Sequence, residues 1–285
     1  MRLKNFLRKA QRGKWAIGQF NFSNLETLKA IITIAKKKKS PVILGTSEGE
    51  SRFFGLEEAG AIAKVFKKEG VPAFLNLDHG HSFSYIKKAI QAGYDAVHFD
   101  GSKLPLAKNI KEAKKIVAYA HRRRVLVEGE INFVKGSSRV LKKAPKIREQ
   151  DLTDPQEAKK FVAETGVDSL AVNIGTFHGV DFSGKIPNIN LERLDEIRKE
   201  LGNVFLVLHG GSGVAPSQIK RAVRKGIVKI NINTELRVAY KEAMQKTLKN
   251  HPKEVKPYRI LPPVVEAVSK IVKDKIELFG SQKRT

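Results

Sequence analysis

The chain contains no cysteine, so it forms no disulfide and offers no thiolate; any bound metal must rest on histidine, aspartate or glutamate. It has no run of the roughly eighteen apolar residues that a membrane-spanning helix needs. The opening Met1-Arg2-Leu3-Lys4-Asn5-Phe6-Leu7 is basic but lacks the apolar segment and small-residue cleavage site of a secretory signal. A cytoplasmic protein is therefore expected. Tryptophan occurs once and aromatics make up only 7% of the residues, which leaves little for stacking bases. Acidic residues are scarce too. The 29 Asp and Glu face 54 Lys and Arg, a net charge of +25. Such a field attracts nucleic acid, acidic lipid or phosphorylated metabolites. The lysine pairs and runs are scattered, as at 36–39, 67–68, 87–88, 114–115, 142–143 and 159–160, and read as solvated helix faces. A nucleic-acid-binding role on a barrel scaffold stays only as a remote alternative.

What is present is a regular alternation. Strand-length apolar runs lie near 15–20, 41–45, 73–78, 96–99, 125–130, 169–173, 204–208 and 227–232. Helix-period segments lie between them at 25–35, 56–68, 83–92, 107–121, 155–165, 191–201 and 216–225. Thr153-Asp154-Pro155 and Asn190-Leu191 carry helix-start chemistry. Continuous apolar strands suit a parallel sheet buried on both faces. No Gly-x-Gly-x-x-Gly follows the first strand, which weakens a dinucleotide-binding open sheet. The expected fold is α/β, a (β/α)8 TIM barrel in a single domain spanning 1–285, with two additional C-terminal helices between 236 and 279 separated by 251–263.

Three of the seven histidines, His79, His178 and His209, each end an apolar run and precede glycine. They follow the third, sixth and seventh expected strands, where a barrel keeps its active site. Three protein ligands with an open fourth position are the usual form of a catalytic zinc site. Asp78 adjoins the first of them and is placed to exchange a proton with a substrate hydroxyl; orienting an imidazole is its alternative role. Asp100 and Glu130 end the fourth and fifth strands and suit a secondary cation position or the orientation of histidines, with Glu128 on the same side as Glu130. His81 and His98 are also near this rim, whereas His121 and His251 lie in polar contexts. Gly210-Gly211-Ser212-Gly213 presents backbone amides to an anion. Asn231-Ile232-Asn233-Thr234 opens a helix whose first turn favours phosphate. Barrels often hold phosphate between these two loops.

Asp78-His79, Ile174-Gly175-Thr176-Phe177-His178-Gly179, Leu208-His209-Gly210-Gly211-Ser212-Gly213 and Lys229-Ile230-Asn231-Ile232-Asn233-Thr234-Glu235 resemble the motifs of the class II, metal-dependent fructose-bisphosphate aldolases, in order and over nearly the whole chain. The resemblance implies zinc on His79, His178 and His209, an alternative metal position at Asp100 and Glu130, and proton transfer to the C4 hydroxyl by Asp78. It implies substrate contacts from Ser47, Gly179, Gly210, Gly211, Ser212, Asn231, Ile232, Asn233 and Thr234. It also implies a monovalent cation (sodium or potassium) near the phosphate loop, a homodimer or homotetramer, and an Arg259 reaching the neighbouring subunit's substrate. The expected reaction is reversible cleavage of fructose 1,6-bisphosphate to dihydroxyacetone phosphate and glyceraldehyde 3-phosphate. Tagatose bisphosphate, or a related ketose bisphosphate, is the alternative; Asn233 favours fructose. A Schiff-base aldolase would need a lysine inside the barrel, and Lys229 is the sole candidate. One departure stands out: no carboxylate occurs between Ile131 and Ile147, where the family usually has an acid that moves the C1 proton.

Overall fold

The computed structural model describes residues 1–181 and 187–285. Its strands are β1 (Ile17–Asn21), β2 (Val42–Ser47), β3 (Ala73–Gly80), β4 (Ala96–Asp100), β5 (Leu126–Glu130), β6 (Gly136–Leu141), β7 (Ser169–Ala171), β8 (His178–Asp181), β9 (Phe205–Leu208) and β10 (Ile227–Ile232). Eight of them close a parallel barrel in the order β1-β10-β9-β7-β5-β4-β3-β2. All eight fall on the expected apolar runs. The expected helices also form, several to the residue, because their caps are real. The Asp154 carboxylate accepts from the Gln156 and Glu157 amides ahead of Pro155 at the first turn, and the Asn190 side chain accepts from Arg193 N–H.

The strand pleat sorts the side chains. Alternate residues of β1, β3, β4 and β5 point into the barrel, and the upper ones are polar: Gln19, Asn21, Asn76, Asp78, His98, Asp100, Glu128 and Glu130. The lower interior is apolar. Ile17, Ile43, Phe74, Ala96, Phe205 and Val228 form a layer there with Leu3, Phe6, Leu7 and Ala10 of an N-terminal helix, Leu3–Gly13. That helix is not among the expected elements. It closes the bottom of the barrel with an apolar stripe at helical spacing, and Phe6 meets Phe74 with ring centroids 5.4 Å apart. Phe6→Ala is expected to lower stability by about 3 kcal/mol, read as a shift in the denaturant midpoint.

A second, larger core lies between barrel and outer helices. The C-terminal helices are Thr234–Asn250 and Pro262–Phe279, with a short turn of helix, Pro257–Ile260, between them. Further unexpected elements are a short helix, Glu48–Phe54, and a two-stranded parallel sheet of β6 and β8, in which Gly136 pairs with His178. The sheet gives structure to the segment without carboxylates. No helix among the described residues is long and apolar enough to cross a membrane.

Candidate metal centre

Every barrel strand delivers its last residues to one rim, so Asp78, His79, His98, Asp100, Glu128, Glu130 and His209 gather there. Asp78 and His79 are consecutive, yet both turn inward. Between Leu77 and Gly80, β3 carries one more residue than β4, a bulge, and His79 takes the left-handed conformation (φ 54°). A non-glycine residue there costs about 1–2 kcal/mol. The strain is offset locally: the His79 N–H donates to His98 Nδ1 (3.1 Å) and the ring Nδ1–H to Asp100 Oδ2 (2.8 Å).

Carboxylates fix the imidazoles. Since an ionised carboxylate only accepts, Asp100 places the His79 proton on Nδ1 and leaves the Nε2 lone pair free. Glu128 Oε1 does the converse for His209, accepting from its Nε2–H at 2.7 Å and freeing Nδ1. The two free nitrogens, His79 Nε2 and His209 Nδ1, then face each other at 3.2 Å. Two lone pairs at that range repel, and only a proton held on His79 Nε2 or a cation shared by both relieves them. Two nitrogens on one tetrahedral zinc, each about 2.0–2.1 Å from it, lie about 3.3 Å apart. The separation is that of two ligands of one ion.

The sequence assigns His178 as the third ligand. Its ring centroid lies 5.0 Å from that of His79 and 5.9 Å from that of His209. The atoms that approach one another most closely come instead from Asp78, His79, His98 and His209. His98 is badly placed to ligate: its Nδ1 already accepts a backbone N–H, and its Nε2 lies 3.2 Å from Glu130 beneath the cluster, fully buried. His178 has no hydrogen bond to its ring among the described residues. Burial, reinforced by the neighbouring imidazoles of His79 and His209, pushes it well below the ordinary imidazole range, so it offers a lone pair. His178 thus lies near the pair with a lone pair available, but outside the closest group of ligand atoms.

The surroundings demand a cation. Three buried carboxylates, Asp78, Glu128 and Glu130, and the half-buried Asp100 share the space with one buried lysine, Lys229. Glu130 is buried with no well-aligned hydrogen bond: His98 Nε2 is its nearest polar neighbour (3.2 Å), and His209 Nδ1 and His79 Nδ1 lie 3.9 and 4.0 Å from Oε2. A buried carboxylate so thinly satisfied is costly. Burial alone would raise the Asp78 carboxyl, but His79, His209 and Lys229 outweigh it and hold Asp78 well below the usual carboxylate range. The residues present thus fit a divalent ion.

Asp78 stands beside the centre. Its Oδ1 is 4.0 Å from His79 Nε2; Asn231 donates to Oδ1 (3.0 Å) and Asn21 to Oδ2 (2.9 Å). Asn231 Oδ1 is left buried without a partner. At the loops, Gly210 has φ 63°, and a Cβ there would lie 2.4 Å from the Phe177 carbonyl oxygen. A Cβ on Gly179 would lie 2.6 Å from the carbonyl oxygens of Ser137 and Arg139. Only glycine lets these backbones pass so close to His178 and His209. Gly211 and Ser212 are buried beside them, and Thr234 begins the helix that follows β10.

The remaining expected contact residues have these neighbours within the chain. Ile232 packs its side chain into the outer core, so only its backbone faces the mouth. Ser47 is committed to a capping box with Glu50. Asn233 donates to Glu50 Oε1 (3.1 Å). Arg259 is exposed and pairs with Glu254 (3.4 Å), and nothing among the described residues brings it to the mouth. His81 is exposed, and only its backbone N–H is engaged, donating to Glu48.

Glu50 and Arg237 escape the sequence reading, and Lys229 takes a role other than the nucleophile considered there. Glu50, almost fully buried, accepts from Asn21 (2.9 Å), Asn233 and Arg237 (2.6 Å), and the Arg237 guanidinium also donates to the Ser138 carbonyl. Lys229 donates to Glu128 Oε2 at 2.6 Å, completing a chain Lys229–Glu128–His209. Removing the middle charge loosens His209 without removing a ligand. Glu128→Gln is expected to weaken zinc binding about 10–100-fold, measured by competition with a chromophoric chelator.

The comparisons agree with this geometry. Residues 1–284 match the family model of "Fructose-bisphosphate aldolase class-II". The chain belongs to this family. It is 38% identical over 290 residues to a fructose-bisphosphate aldolase of Geobacillus stearothermophilus, covering 98% of this chain and 96% of that protein. It is 36% identical over 293 residues to one from Staphylococcus aureus, covering 99% and 98%. Among solved structures, the YdjI aldolase of Escherichia coli K12 superposes with a TM-score of 0.84 at 32% identity, covering 99% of this chain and 98% of that one. As a class II aldolase the chain is a metal-dependent lyase.

Proposed function

We propose that this aldolase acts through one zinc ion held by His79, His178 and His209, and that it reversibly cleaves fructose 1,6-bisphosphate between C3 and C4, yielding dihydroxyacetone phosphate and glyceraldehyde 3-phosphate. The observation that carries the reading is the 3.2 Å approach of His79 Nε2 and His209 Nδ1, each with its other ring nitrogen tied to a carboxylate. When bound, the ion supplies a Lewis acid that stabilises the negative charge developing at the substrate carbonyl. The chain does the rest. Asp78, kept ionised by the positive groups around it and aimed by Asn21 and Asn231, takes the C4 hydroxyl proton in cleavage and returns it in condensation. The amides of Gly179, Gly210, Gly211, Ser212 and the Asn231–Thr234 segment hold one phosphate, and a monovalent cation bound there would offset its charge. A cleft of about 440 Å³ past Asn21, bordered by Glu50, Asn233 and Arg237, receives the rest of the sugar. Binding remote groups at both ends aligns the C3–C4 bond at the ion.

Lys229 speaks against a Schiff base. Its ammonium is buried and tied to Glu128, below the site rather than open to a carbonyl. The reading extends to a single catalytic unit over 1–285, working in the cytoplasm as a homodimer or homotetramer in which Arg259 serves the neighbouring site. Cleavage should vanish on dialysis against a chelator and return with Zn²⁺. Borohydride trapping of substrate on Lys229 would overturn the scheme. Comparing kcat/KM on fructose and tagatose bisphosphates settles the sugar.

A further inference from the structure

The catalytic mouth uses few of the positive charges, and the opposite end of the barrel gathers several. There the helix Leu3–Gly13 lies across the strand starts, and Lys4, Arg8 and Arg12 recur at every fourth residue, one stripe about 12 Å long at 1.5 Å per residue. This stripe borders a cleft of about 720 Å³ between the helix and the segments 166–168 and 201–205. A second cleft of about 270 Å³, lined by Arg2 and Arg124, adjoins it through the shared Lys4, His121 and Asp168.

The acids in these clefts are already saturated. Asp168 accepts from Lys4 (2.9 Å), His121 (2.8 Å) and the Val127 N–H (3.0 Å). Asp95 accepts from Lys67 and the Leu75 N–H. Glu164 and Glu200 on the flanking helices pair with Lys114 and Lys159. Arg2, Arg8, Arg12 and Arg124 have no ion-pair partner among the described residues. Asp168 thus works as a clamp that fixes Lys4 and His121, while the arginines stay available. No exposed aromatic ring lines either cleft, so there is no platform on which a base could stack. The recognisable feature is a row of guanidinium forks, which suits phosphate oxygens.

We propose that this end of the barrel is a second anion site, separate from the catalytic mouth, that binds a chain of linked phosphates, either free polyphosphate or the phosphate tail of a nucleotide. The stripe's length calls for several phosphates in a row, and the net charge of +25 draws such an anion in.

Calorimetric titration of the zinc enzyme with sodium tripolyphosphate, with dihydroxyacetone phosphate present to fill the catalytic phosphate site, tests this. One tripolyphosphate per chain should bind, more weakly as salt rises. Arg8→Ala/Arg12→Ala, two exposed changes, should weaken it about a hundredfold and leave the melting temperature and kcat/KM for fructose 1,6-bisphosphate unchanged. ATP binding as tightly as tripolyphosphate, or tighter, assigns a nucleotide tail; weaker ATP binding assigns free polyphosphate. The proposal is overturned if tripolyphosphate binds the double variant as it binds the parent, if orthophosphate binds equally well, or if single-stranded oligonucleotide of matched charge binds more tightly.

Discussion

His79→Ala should lose bound zinc and aldol cleavage together, with activity falling to background. The residue does three jobs at once. Its Nε2, which faces His209 Nδ1, would hold the ion, its Nδ1–H satisfies Asp100, and its left-handed backbone donates the N–H that orients His98. Alanine leaves Asp100 and Glu130, which then faces only His98 and His209 at close range, with less to balance their charge. Loss of an actual ligand should exceed the about 10–100-fold that an orienting partner contributes, so the variant should hold no stoichiometric zinc after gel filtration. Metal-free parent enzyme gives a second measure. Burial would lower the His79 pKa, but Asp78, the hydrogen bond to Asp100, and Glu130 outweigh it and raise the group to about 10. Near pH 7 the metal-free protein therefore keeps a proton on both His79 nitrogens, and zinc must displace one. Between pH 6 and 8, zinc affinity should rise about tenfold per pH unit, and calorimetry in buffers of different ionisation heat should count about one proton released. His178 and His209 are pushed the other way by burial and add none. In His79→Ala that proton release should be gone.

Much of this site is legible in the sequence because a parallel barrel converts sequence order into spatial position. A histidine after an apolar run and before glycine lands on the rim whatever its neighbours are, so His79 and His209 can be paired without coordinates. The pleat likewise predicts that Glu128 and Glu130 share a side; the register His98↔Glu128 and Asp100↔Glu130 then sets the carboxylates beside the histidines. What stays hidden depends on side-chain direction. Asp78 and His79 should alternate, and only the bulge with φ 54° brings both inward. Nothing local marks Glu50 as a hub, since its capping-box role at Ser47 accounts for it fully in sequence. Lys229 reads as a candidate nucleophile until its partner is seen. The helix Leu3–Gly13 is masked by its six basic neighbours and flanks, although Leu3, Phe6, Leu7 and Ala10 carry the right period. The β6–β8 sheet escapes because Gly136–Leu141 is polar and its partner begins with His178, read as a ligand, rather than with an apolar run.

Asp78→Asn should separate the two halves of the chemistry. The side chain keeps its shape, and its neighbours Asn21 and Asn231 can turn their amides to meet it, so the fold and the three histidines are spared. Asp78 Oδ1 lies 4.0 Å from His79 Nε2, close enough to serve a substrate held at the ion. An amide cannot take a proton at neutral pH. The kcat for cleavage should fall by about 10²–10⁴-fold, while zinc content stays at the parent level and KM changes little. That split is what a proton-transfer group gives and a ligand does not. A further arm tests the division of labour within the substrate. Asp78 is assigned to the C4 hydroxyl, which dihydroxyacetone phosphate lacks. Exchange of its C1 proton with deuterated water should therefore continue in Asp78→Asn, followed by NMR, even as cleavage collapses. Exchange lost in step with cleavage would place Asp78 at C1 as well, and would supply the acid that the segment between Ile131 and Ile147 does not contain.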